Sequence, residues 1–142
     1  MMHKDISLII LRHTAAGLFC LLILLSSHTS STAATTEEIA SLLLFVEQSE
    51  CTFIRNGKHY DALKAREHIE KKYAYYKERI TTAEDFILYS ATKSSMTGEP
   101  YMVICSGVSI STSDWLKAKL DKLRTNEILD SKNRRGKRFL VN

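Results

Sequence analysis

The chain has 142 residues, of which 44% are apolar and 25% charged, with a formal net charge of +4. That length holds one small domain plus its ends, and a single Pro with only five Gly excludes collagen-like and low-complexity linker proteins. The near-average apolar and charged fractions argue against a coiled coil or a fully disordered chain, and they name no reaction.

Lys4 and Arg12 make the N-terminus positive, and Thr14 to Leu25 then run without a charge. As a helix those residues span only about 18 Å, against roughly 30 Å of bilayer hydrocarbon. Extension backwards meets Arg12 and His13, which are costly at that depth. The small polar stretch Ser26 to Ala34 follows. This pattern predicts a cleaved secretory signal peptide over residues 1–34, with cleavage near Ala34. An uncleaved inner-membrane anchor is the alternative. Cys20 lies inside the apolar run, so a lipoprotein is disfavoured.

Removal of such a signal leaves Cys51 and Cys105. An even number in an exported chain predicts a disulfide, which over so long a loop contributes about 4 kcal/mol in the chain-entropy picture. Two separate buried thiols are the alternative. Neither a CxxC pair nor an HxxxH cluster accompanies them, so a metal site or a redox-active pair is not expected.

From Thr35 the chain reads as a helix opened by a capping box, Thr35 to Glu38, with Ile39, Leu42, Leu43 and Val46 as its apolar stripe. The helix fades near Ser49. Cys51 to Tyr60 places β-branched and aromatic residues around Asn56-Gly57, a hairpin signal. Asp61 is a fair N-cap for a helix to about Ile80 whose inner face is Ala65, Ile69, Tyr73, Tyr76 and Ile80. A second capping box, Thr81 to Glu84, starts a short helix that turns Phe86 and Ile87 inward and ends near Ala91. Thr92 to Pro100 is a polar loop, and Tyr101 to Cys105 is an apolar run of strand length ended or bulged by Gly107. Ser111 and Ser113 compete to cap a last helix that buries Trp115, Leu116, Leu120 and Leu123. Periodicity fades after Thr125, and the end carrying Lys132, Arg134, Arg135, Lys137 and Arg138 reads as a fraying basic tail. The predicted fold is α+β, a small helical cluster packed on a two- or three-stranded antiparallel sheet. Cys51 begins one strand and Cys105 ends another, so antiparallel pairing brings them together. The organisation is a signal peptide over 1–34, an α+β domain over 35–124 and a basic C-terminal tail over 125–142.

Four stretches carry a family likeness: Phe53-Ile54-Arg55-Asn56-Gly57, Lys64-Ala65-Arg66-Glu67-His68-Ile69, Ile80-Thr81-Thr82-Ala83-Glu84-Asp85-Phe86-Ile87, and Ala91 through Val103 with its Thr92-Lys93-Ser94-Ser95-Met96-Thr97-Gly98-Glu99-Pro100 core. In this order they resemble the YfeK-like family of small exported bacterial proteins of unknown function, over about Ile39 to Arg124. The resemblance implies a periplasmic location in a Gram-negative bacterium and implies no activity. The tail after Arg124 lies outside it.

Chemistry-bearing residues are few. Lys93-Ser94-Ser95 is the best nucleophile candidate, with His59 and His68 as available bases and Asp61 or Glu67 as orienters. The chain lacks a G-x-S-x-G elbow, and Ser and Thr equally suit a self-bonding loop. Arg55-Asn56-Gly57 sits at a hairpin tip. Tyr60, Tyr73, Tyr75 and Tyr76 lie near basic residues, a pattern that can stack nucleic-acid bases, though export makes nucleic acid a poor partner. The basic tail suits anionic lipid head groups or an acidic partner. The reading is a small periplasmic binding or accessory protein without catalytic activity or cofactor. Its contact surface combines Arg55, Asn56 and Gly57 with Lys93, Ser94, Ser95, Gly98 and Tyr101, and its partner is an envelope protein or a small ligand. A serine-dependent hydrolase at the Lys93-Ser94-Ser95 loop, or an envelope-associated protein held by its tail, are the rivals.

Overall fold

The structure is a computed structural model that describes residues 30–139. The signal peptide expected over 1–34 therefore lies largely outside the described residues. From Thr35 on, the described residues form a compact unit of their own. In chain order the described residues carry helix α1 (Ser30–Glu47), strands β1 (Thr52–Arg55) and β2 (Lys58–Tyr60), helix α2 (Ala62–Tyr76) and a 3-10 turn (Lys77–Arg79). Helix α3 (Ala83–Phe86) follows and continues as a π turn (Ile87–Ala91). The chain closes with β3 (Met102–Cys105), β4 (Val108–Ser111) and α4 (Thr112–Phe139).

The fold is α+β as expected, but the sheet has four antiparallel strands in the order β2-β1-β3-β4, not two or three. Two hairpins lie side by side, joined through β1 and β3. The first turns at Asn56 (φ 51°) and Gly57 (φ 70°), both left-handed as a primed turn requires. The second turns at Ser106 (φ 51°) and Gly107 (φ 81°). Gly107 therefore ends β3 by reversing the chain into a fourth strand. The register aligns Tyr60, Phe53, Val103 and Ile110 in one row facing the helices. One step past Thr52↔Ile104, the same register sets Cys51 against Cys105, and they form a disulfide with their Cα atoms 4.6 Å apart.

The core lies between this row and the helices. Leu42 and Val46 of α1, Ile69 of α2, Phe86 and Ile87 of α3, and Leu116 and Leu120 of α4 are all buried against Phe53 and Val103. Trp115 stacks on Phe45 at 4.3 Å and meets Phe53 edge-on at 5.6 Å. The helical stripes read from the sequence are thus the ones that meet the core, except at Tyr76, which lies outside it against Tyr89 and Ser95.

Three local expectations change, and one open choice is decided. Helix α1 begins at Ser30, so the helix runs through Thr35. The second capping box sits one residue later than Thr81 to Glu84. Thr82 Oγ1 accepts from Asp85 N (3.0 Å) while Asp85 accepts from Thr82 N (3.1 Å) and also holds Thr81. Glu84 is thereby free to pair with Arg124. Ser111, not Ser113, caps the last helix, accepting from Asp114 N at 3.1 Å. The basic end, expected to fray, is helical: α4 continues to Phe139, with an Asp130–Arg134 pair one turn apart. Among the described residues, no helix is long and apolar enough to cross a membrane.

Candidate functional site

Sheet register and helix period together build a cationic cleft. One step past Ile54↔Met102, Arg55 of β1 comes opposite Tyr101, and Thr112 N donates to Tyr101 O at 2.9 Å. Arg55, Tyr101 and Thr112 thus form a row on the face that α2 covers. On α2, Asp61 caps the first turn by accepting from Lys64 N at 2.8 Å. The i, i+3, i+4, i+7 spacing of Ala65, His68, Ile69 and Lys72 then lowers two polar side chains onto that row. His68 Nε2 lies 3.0 Å from Tyr101 Oη, with the rings edge-on. Lys72 Nζ stands 5.1 Å above the Tyr101 ring. Arg55 lies 4.6 Å over the Tyr60 ring and donates to its hydroxyl at 3.2 Å.

The electrostatics follow from this crowding. Burial, and then the neighbouring charges of Arg55, Lys72 and Lys71, push His68 down from 6.5 to about 4. Burial also lowers Lys72, with Lys93 adding to the effect. Burial raises the Tyr101 hydroxyl, while Arg55 opposes the rise. Among the described residues, no carboxylate pairs with Arg55, Lys71, Lys72 or Lys93. Glu67 on the rim is engaged by Lys64 at 3.1 Å.

A cavity of about 30 Å³ lies under α2, walled by Phe53, Ala65 and Ile69 and bordered by His68, Tyr101 and Thr112. It shares Arg55, Tyr60, Lys64 and His68 with an outer pocket of about 200 Å³ that also reaches Glu67 and Lys71. Among the described residues, no group of three His, Cys, Asp or Glu side chains is placed to hold a metal ion. A cation-rich, carboxylate-poor cleft is chemically suited to an anion.

The residues singled out in the sequence separate into two sets. Arg55 and Tyr101 enter the cleft. Asn56, Gly57, Ser94 and Gly98 shape the loops beside it. Thr97 Oγ1 donates to Asn56 Oδ1 at 3.0 Å, so the hairpin tip and the 92–100 loop are neighbours. Ser94 is buried, and its hydroxyl accepts from Met96 N (3.4 Å) and Thr97 N (3.3 Å). Gly98 N returns to Ser94 O with φ 75° at Gly98, and Lys93 forms a bridge with Pro100. Lys93 O accepts from Lys72 Nζ at 2.6 Å, so the loop is tied to the cleft's edge through its backbone. Ser95 is exposed, 3.2 Å from Tyr76 Oη. His68 contacts Tyr101, and His59 is exposed on β2. Tyr60, His68, Lys72 and Thr112 are the cleft residues that the sequence reading did not assign to the surface. The spacing from Ala65 and Ile69 to His68 and Lys72 was the available signal.

The chain matches the family of unknown function DUF5329 over residues 33–124, well over half its length. It is also 39% identical over 62 residues to the uncharacterized protein YfeK of Salmonella typhimurium (strain LT2), a stretch covering 44% of this chain and 52% of that protein. The chain thus spans about half the length of this curated relative. No solved structure matches the chain. The cleft residues Arg55, Tyr60, His68, Lys72, Tyr101 and Thr112 all fall within the matched residues, and the chain belongs to the DUF5329 family of proteins of unknown function.

Proposed function

We propose that this protein is a non-catalytic binding module of the bacterial envelope that captures an anionic group in the cleft between α2 and the sheet. One observation carries the reading: Arg55, Lys71 and Lys72 converge on a part-buried, neutral His68 beside a cavity, and among the described residues no carboxylate pairs with these three cations. The unpaired positive charge of such a site favours an entering anion. The disulfide suits an oxidising compartment such as the periplasm.

Titrating the protein with acetate and with inorganic phosphate, followed at the His68 ring by NMR, tests this. An anion is expected to shift His68, and Arg55→Gln is expected to weaken binding about tenfold by removing a charge-assisted contact. Equal binding by R55Q would overturn the role of Arg55, and silent His68 resonances would overturn the site.

Two rival readings keep a place. The hydrolase reading is disfavoured at Ser94, whose hydroxyl already accepts two backbone N–H groups. A fluorophosphonate probe that labels Ser95 would revive it. Envelope association through α4 is supported by Ile128 and Leu129, 54% and 58% exposed, beside exposed Lys132, Arg134, Arg135 and Lys137. Deleting residues 131–142 should then reduce binding to anionic vesicles at low salt, and unchanged binding would remove the idea.

A further inference from the structure

The inner compartment of the cleft restricts what kind of anion fits. The outer pocket holds the charges of Arg55, Lys64, Glu67 and Lys71. The inner cavity is walled by Phe53, Ala65 and Ile69, and its volume of about 30 Å³ admits about two to three water-sized groups. Thr112 lines this inner cavity. It is 1% exposed, and its Oγ1 has no hydrogen-bond partner in the structure. A buried hydroxyl of this kind is unfavourable unless something bonds to it.

We propose that the ligand is a short hydroxycarboxylate. Its carboxylate meets Arg55 in the outer pocket, two or so carbons pass between Phe53, Ala65 and Ile69, and its far hydroxyl bonds Thr112 Oγ1. This rests on the anion-binding reading above and narrows it. Inorganic phosphate would leave the apolar compartment unused. An amino acid would bring an ammonium among cations, and the rim's Glu67 is already taken by Lys64. A longer chain exceeds the cavity.

Calorimetric titration of the full chain with propionate, 3-hydroxypropionate and inorganic phosphate tests the inference, on the unaltered protein and on Thr112→Val and Arg55→Gln. On the unaltered protein, 3-hydroxypropionate is expected to bind about tenfold tighter than propionate, the gain of one satisfied buried hydroxyl. Thr112→Val should abolish that preference while leaving propionate affinity in place, and Arg55→Gln should weaken both acids. Equal affinity for the two acids means that Thr112 is satisfied without the ligand, and it overturns the inference alone. Tightest binding of phosphate, or a preference that survives in T112V, does the same and leaves the anion site standing. Failure of all three probes to bind overturns the anion site as well. The comparison of acids on the unaltered protein keeps the test decisive whether or not a variant folds.

Discussion

His68 is neutral at pH 7 because burial and three cationic neighbours penalise its protonated form. In the unfolded chain the imidazole titrates at its ordinary 6.5, and in the fold at about 4. Between those values the unfolded state binds the extra proton. Stability from this group is therefore full above pH 6.5 and falls as the pH drops through 6.5 toward 4. Allowing for solvent screening of a part-buried ring, the loss is about 1–2 kcal/mol. Denaturant midpoints at pH 7 and pH 4.5 should converge more closely for His68→Gln than for the native chain. An identical acid loss in both would contradict this assignment. Ser90 offers a second test at this scale. It is fully buried in the π turn, and its hydroxyl lacks a partner in the structure. Ser90→Ala should leave the melting temperature unchanged or raise stability by up to about 1 kcal/mol. A clear destabilisation would mean that the hydroxyl is bonded in solution.

Among the elements, Arg124 of α4 fastens two others. It grips Glu38 of α1 at 2.6 and 3.1 Å and Glu84 of α3 at 2.5 and 3.2 Å. The Arg124 bond holds the Glu84 carboxyl below its usual range, and the guanidinium itself is pushed up by both partners. Arg124→Met should cost about 1–2 kcal/mol, since Glu38 is mostly enclosed and the contacts are bidentate. Chemical denaturation measures this, and a cost near zero would show the clamp to be ornamental. This network also explains why the capping box was misplaced in the sequence. Thr81-Thr82 followed by Glu84-Asp85 offers two boxes in adjacent registers, and local spacing cannot choose between them. The tertiary demand of Arg124 for Glu84 leaves Asp85 to cap. The fourth strand was missed for a related reason. Asn56-Gly57 is a strong turn signal, whereas Ser106-Gly107 is a weak one because Ser seldom adopts positive φ. Val108 to Ser111 alternates too briefly to be read as a strand. The helical stripes were legible because Ile39, Leu42, Leu43 and Val46 repeat at helical spacing, and so do Leu116, Leu120 and Leu123.

At the scale of the whole molecule, the disulfide and the core set stability. The Cys51–Cys105 bridge closes a loop of 54 residues' separation, so the chain-entropy picture credits it with about 4 kcal/mol. Reduction should lower the melting temperature by more than about 10 °C for a domain of this size. A shift of a degree or two would mean that the reduced chain holds the strands together unaided. Phe86 is 1% exposed and meets Tyr73 edge-on at 5.4 Å. Phe86→Ala should therefore cost about 3–5 kcal/mol and unfold part of the population at ambient temperature.

The bridge was legible because cysteine count and strand position point the same way. The cleft was only half legible. Arg55 and Tyr101 stood out on polar loops, but their convergence on His68, Lys72 and Thr112 depends on a sheet register and a helix docking angle that no short stretch encodes. The most direct test of the account is the NMR titration of the His68 ring with and without saturating acetate. The account predicts a midpoint near 4 in the free protein, moved upward when an anion offsets the charges of Arg55 and Lys72. A free midpoint near 6.5, unmoved by any anion, would contradict it.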